Sequence, residues 1–95
     1  MNNQLTHIRT KLDRIDIKIL RLIKNRQKLI NEVIKIKSYK KNIIDKNRIK
    51  KILKKIKKES IKMGVNSEVS EKIWKQMIKA FIAYEFKFFS NFKKK

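Results

Sequence analysis

From Leu5 to Ile36 apolar side chains recur every three or four residues: Leu5, Ile8, Leu12, Ile15, Ile19, Leu22, then Leu29, Val33 and Ile36. A stripe of that period is one face of a single long α-helix. A helix of this length does not stand unsupported in water, so the stripe predicts pairing with another long helix. Arg26 stands in the stripe where the next hydrophobe belongs. Its guanidinium cannot shed its proton, and seating it in an apolar seam is costly unless an anion or a carboxylate meets it there. Something anionic is expected at this point of the core.

The rest of the composition narrows the class. Proline is absent, glycine occurs once, and Ile, Leu and Lys dominate, which leaves no material for a turn-rich β fold or a glycine-lined phosphate loop. The expectation is an all-α chain. Ninety-five residues make one small domain, spanning 1–95, and a chain this short buries only about 60 to 65% of its unfolded surface. A helical dimer would relieve that shortage. Without cysteine there is no disulfide framework, thiolate metal site or Cys nucleophile, and the lone His7 excludes a histidine cluster, so no metal or cofactor is expected. No apolar run approaches the roughly 20 residues of a membrane span, and the N-terminus lacks a signal-peptide segment. A cytoplasmic protein with no membrane partner is predicted.

The formal net charge of +20 raises the question of nucleic acid. Lysine outnumbers arginine and is spread through every segment beside abundant Ile and Asn, the pattern of an AT-rich coding bias with solvated outer helix faces. A basic recognition helix, an arginine-rich arm or an exposed aromatic platform would argue otherwise, but the aromatics cluster with apolar residues near the C-terminus. The Lys-Lys-Ile repeats from Lys50 to Lys58 also resemble a cationic membrane-surface helix, yet the flanking helices need that segment for core. Solvated faces are the preferred reading. A basic helical nucleic-acid-binding or interaction protein is the alternative from another class.

Three helices with two short joints follow. The first is predicted over about 5–41, the joint at Asn42, Ile43, Ile44 and Asp45, and the second helix over 45–63, capped by Asp45 and carrying Ile49, Ile52, Leu53 and Ile56 at helical spacing. Gly64 is the natural left-handed stop. The third helix, over 67–90, is predicted to be capped by Ser67, with Glu68 and Glu71 in its first turn and Val69, Ile73, Met77, Phe81, Tyr84 and Phe88 on its inner face. A basic tail, 91–95, follows.

Polar residues on apolar faces are the candidate chemistry. Arg26 and Lys37 are three helical turns apart and point the same way, about 16 Å along the axis, so a small ligand could lie between them. Arg9 lies about 25 Å before Arg26 and a quarter turn round, too far to share that ligand on one straight helix. An antiparallel dimer would bring each Arg9 toward the Arg26 region of the other copy. Arg48, one turn after Asp45, could reach the same cavity, and Glu85 among Phe81, Ile82, Phe88 and Phe89 is expected to be partly buried. For each cation the plain alternative is a structural ion pair at the surface.

At these residues a family resemblance becomes specific. The run Ile8-Arg9-Thr10-Lys11-Leu12-Asp13-Arg14-Ile15-Asp16, then Leu20 to Leu22, Asn25-Arg26, Val33 and Ile36-Lys37, resembles the opening helix of the small all-helical chorismate mutases. Arg48 after Asp45, Gly64-Val65, and Ile78 to Glu85 extend the likeness over nearly the whole chain. The resemblance implies an intertwined homodimer of three-helix subunits, each with a long first helix, and two shared active sites. It implies Arg26, Lys37 and Arg48 from one subunit and Arg9 from the other, acting on a small dicarboxylate enolpyruvyl substrate in aromatic amino acid biosynthesis. Arg9 and Arg26 would grip carboxylates, Lys37 would donate to the ether oxygen, and Glu85 would face the same oxygen, able to donate only when protonated. Arg48 would order the loop.

Three features depart from the mutases and look like the related isochorismate pyruvate lyases. Ile49 stands where most mutases carry a Glu that recognises the substrate hydroxyl. Phe81, one turn before Glu85, replaces a small or polar residue, and the interval from Lys37 to Arg48 is on the short side. The lyases expel pyruvate from isochorismate, leaving salicylate. Chorismate to prephenate is the first reading and the lyase reaction the second.

Overall fold

The computed structural model describes residues 3–36 and 43–93, with side chains described as far as residue 89. Among them are three α-helices and no strand: α1 (Asn3–Ile36), α2 (Lys46–Met63) and α3 (Ser67–Lys93). The all-α expectation holds. The proposed end of the first helix beyond Ile36, and Asn42 in the joint, lie outside the described residues.

The chain writes its own helix ends. Asp45 sits in an extended conformation, and its side chain accepts the backbone N–H of Arg48 at 3.0 Å while its carbonyl accepts that of Ile49 at 3.0 Å, which satisfies two donors of the first turn of α2. At the other end Gly64 takes φ 74°, ψ 23°. From there its N–H reaches the Ile61 carbonyl at 3.3 Å, and the Val65 N–H reaches that of Ser60 at 2.8 Å, the paired bonds that close a helix through a left-handed residue. The cap of α3 corrects the sequence reading. Asn66, not Ser67, holds the position, its side-chain oxygen accepting the Val69 N–H at 3.1 Å and its carbonyl the Ser70 N–H at 3.1 Å. Both residue types can cap; the tight turn after Gly64 leaves Asn66 as the last non-helical residue, so the amide takes the role.

That short joint folds α2 back against α3 as an antiparallel pair. Near the turn the helices meet through two buried hydroxyls, Ser60 and Ser70, 2.6 Å apart. Two hydroxyl hydrogens serve this pair: one bridges the two oxygens and the other goes to a carbonyl of its own helix, Ile56 at 2.6 Å from Ser60 or Ser67 at 3.2 Å from Ser70, so this buried polar pair is satisfied. Small side chains let the helices meet here, and the covered face of α3 differs in part from the expected one. Its covered line runs Ser70, Ile78, Glu85, Phe89, flanked by half-buried Trp74, Met77, Phe81, Ile82, Tyr84 and Phe88. Val69 and Ile73, predicted on the inner face, are instead exposed.

The last third of α1 packs on the second half of α3. Arg26 meets Phe81 and Asn31 meets Tyr84, partners that advance together, so the two helices run in the same sense here. The core is small: Ile34, Ile43 and Phe89, with Ile30, Ile82, Tyr84 and Phe88 packed around them. Ile43, from the joint, plugs the space between the helices.

The first two thirds of α1 has no such cover. Its stripe from Leu5 to Leu22 stays between 47% and 66% exposed in the single chain. The chain has 8483 Å² of accessible surface, whereas a compact monomer of its mass has about 5,800 Å². The bare stripe on α1 contributes to that excess, an apolar face of a kind that soluble monomers seldom leave uncovered. No described helix is long and apolar enough to cross a membrane.

Candidate active site

One cavity, about 290 Å³, lies where the end of α1, the start of α2 and the middle of α3 converge. Each helix contributes one face. Arg26, Ile30 and Val33 come from α1 at intervals of four and three; Asp45, Arg48, Ile49 and Ile52 from the first turns of α2; Ile78, Phe81, Ile82 and Glu85 from one stripe of α3, with Ile43 closing the joint side. The walls are isoleucine, valine and phenylalanine, and the polar groups are two guanidiniums and two carboxylates. The volume is at the small end of ligand pockets, which commonly run from about 300 to 1,000 Å³.

Six of the eight residues singled out in the sequence therefore line one cavity: Arg26, Asp45, Arg48, Ile49, Phe81 and Glu85. Arg9 does not. It is exposed on the uncovered part of α1, seventeen residues and about 25 Å before Arg26. Lys37 lies outside the described residues.

The two arginines are held differently. Arg48 is exposed at the mouth of the cavity, its backbone N–H fixed by Asp45. Arg26 is half-buried, and the group that meets it is the ring of Phe81, with the guanidinium carbon 5.6 Å from the ring centroid. The sequence predicts an anion or a carboxylate for Arg26; the contact found is an aromatic face, which supports the cation's charge without consuming its N–H donors. Glu85 is 8% exposed and turned into the same cavity from α3. Among the described residues, no buried side-chain nitrogen or oxygen lacks a hydrogen-bond partner, and no three His, Cys, Asp or Glu come together to hold a metal.

Sequence reasoning missed the apolar wall at Ile30, Val33, Ile52 and Ile78. Its signal was present, since these residues stand four or seven positions from Arg26, Arg48 and Glu85 on their own helices. It also missed the hydrogen bond from the Tyr84 hydroxyl to the Asn31 side-chain oxygen, 2.6 Å, between residues 53 apart in sequence.

Comparison with known families decides the assignment: the family model for chorismate mutase type II matches residues 8–86. The chain belongs to the chorismate mutase type II family. The matched segment begins just before Arg9 and ends just after Glu85, so it spans every candidate site residue of this chorismate mutase-type domain. No curated protein and no solved structure matches the chain significantly.

Proposed function

We propose that the cavity is the substrate site of a chorismate mutase that converts chorismate to prephenate, and that it works as one of two sites in a homodimer. The observation that carries the reading is the convergence of Arg26, Arg48 and Glu85 on one small, apolar-walled cavity in a chain of this family. The rearrangement is intramolecular: one carbon–oxygen bond of the enol ether breaks as a carbon–carbon bond forms. It needs no nucleophile and no proton carrier. What helps is a cavity that holds the folded, reactive conformer and donors facing the negative charge that grows on the ether oxygen.

Charge balance states what the reading requires. The described lining carries Arg26 and Arg48 against Asp45 and Glu85, and Asp45 is occupied in capping α2. Lys37, and Arg9 from a second copy, would add two cations, giving the site the excess a dicarboxylate requires. In this account Arg26 and Arg9 hold the carboxylates, Lys37 donates to the ether oxygen, which Glu85 faces, and Arg48 orders the mouth. The bare stripe on α1 supports the dimer, since a second long helix laid on it would cover the apolar excess and carry its own Arg9 toward Arg26.

A second reading, isochorismate pyruvate lyase, is favoured by Ile49 and Phe81, which give the wall an apolar residue after Arg48 and a bulky ring before Glu85. One experiment separates the two. The purified protein is incubated with chorismate and, separately, isochorismate, and the products are identified. Prephenate from chorismate supports the mutase; salicylate and pyruvate as the dominant products make it a lyase; turnover of neither refutes both.

A further inference from the structure

We propose that Tyr84, tethered to Asn31, is a positioning residue for Arg26, acting through the ring of Phe81. The inference rests on Arg26 being a substrate-binding cation, as proposed above. A guanidinium in a binding site is commonly steadied by a carboxylate, which takes up donors and cancels charge. Here Arg26 rests on Phe81, 5.6 Å from the ring centroid. An aromatic face attracts the cation yet leaves its N–H groups for a ligand. The support is only as fixed as the ring that gives it.

Tyr84 fixes that ring. Its own ring meets Phe81 edge-on, at 6.1 Å between centroids and 82° between planes, the arrangement in which aromatic quadrupoles attract. Phe88 lies against Tyr84 at 4.5 Å and packs on the core of Ile34, Ile43 and Phe89. The Tyr84 hydroxyl donates to the Asn31 side chain at 2.6 Å, a short bond at a half-buried site. Asn31 stands on α1 little more than one turn after Arg26. The contacts therefore run from α1 through Asn31, Tyr84 and Phe81 and return to α1 at Arg26, which ties the orientation of the cation to the register of α1 on α3. Tyr84 does not line the cavity, so any effect it has on turnover passes through its neighbours.

The test pairs Tyr84→Phe, which keeps the ring and removes the hydroxyl, with Asn31→Ala, which removes the acceptor, in wild-type and Arg26→Ala backgrounds of the full chain. Each is expected to lower kcat/KM for chorismate about 3- to 10-fold, and to change the residual rate of Arg26→Ala not at all. An equal loss in both backgrounds means a merely structural role and overturns the proposal. A readout without turnover accompanies it: the Arg26 Nε–H resonance, assigned by its disappearance in Arg26→Ala, should be displaced by the Phe81 ring current and move toward the free-guanidinium position in both variants. An unmoved resonance overturns the proposal whatever the activity. A displaced resonance in a protein that turns over neither substrate supports the positioning and refutes the mutase reading instead.

Discussion

Replacing Arg26 by alanine separates a site cation from a structural one. In the folded chain Arg26 is half-buried and touches the Phe81 ring, a contact contributing about 0.5 to 1 kcal/mol, or about 2 where the pair is desolvated. Against this stands the cost of holding a charge in a partly apolar cavity, which alanine relieves. The two nearly cancel, so Arg26→Ala should change stability by no more than about 1 kcal/mol in either direction. Its effect on turnover is far larger. Loss of one preorganised charge contact in a water-poor site removes about 3 to 4 kcal/mol of transition-state stabilisation, or about 10²- to 10³-fold in rate. Arg26→Lys should recover little, because an ammonium has neither the planar fork nor the flat face that rests on Phe81. The assay is steady-state disappearance of chorismate beside urea unfolding of the same samples. Activity within tenfold of wild type, or a loss that merely tracks unfolding, would refute the assignment of Arg26.

Other outcomes follow from the same structure. Glu85→Gln keeps a side chain that can donate to the ether oxygen and should retain turnover, whereas Glu85→Ala removes it and should lower kcat/KM; equal activity in the two variants would return Glu85 to a structural role. Gly64→Ala forces a Cβ into the left-handed conformation at φ 74°, although nothing crowds that Cβ. It should therefore cost about 1 to 2 kcal/mol by chemical denaturation with no change in turnover per folded molecule. Leu12→Asp places a charge in the middle of the bare stripe on α1, where Leu12 is 52% exposed. Sedimentation should show the wild type as a dimer, with stability rising with concentration, and the variant as a destabilised monomer.

The all-α class, the three helices and the Asp45 and Gly64 ends were legible because each depends on local chemistry: a period of 3.6, a capping carboxylate, a residue free to adopt positive φ. Six residues that line the cavity were legible: Arg26, Arg48 and Glu85 because they interrupt or accompany apolar stripes at helical spacing, Asp45 because it caps α2, and Ile49 and Phe81 only through the family resemblance. What escaped was tertiary. Asn66 and Ser67 are both competent caps, and only the geometry of the turn after Gly64 chooses between them. Ser60 and Ser70 look like surface residues until the packing of α2 on α3 buries them, and Val69 and Ile73 look like core residues but stay exposed. The ring beneath Arg26 was equally hidden. A cation in an apolar stripe announces that it needs a partner, but whether that partner is a carboxylate or the face of Phe81 depends on the register of α3 against α1.

The account rests most heavily on a site assembled from two chains, and complementation measures that directly. Arg9→Ala and Arg26→Ala proteins should each be nearly inactive with chorismate, because every homodimer of either lacks one cation in both sites. Refolded together in equal amounts, about half of the dimers should be mixed, and each of these should hold one intact site, with Arg9 from one chain and Arg26 from the other. The predicted result is turnover rising to about one quarter of the wild-type rate. Mixed dimers verified by mass that remain as inactive as their parents would contradict a shared site.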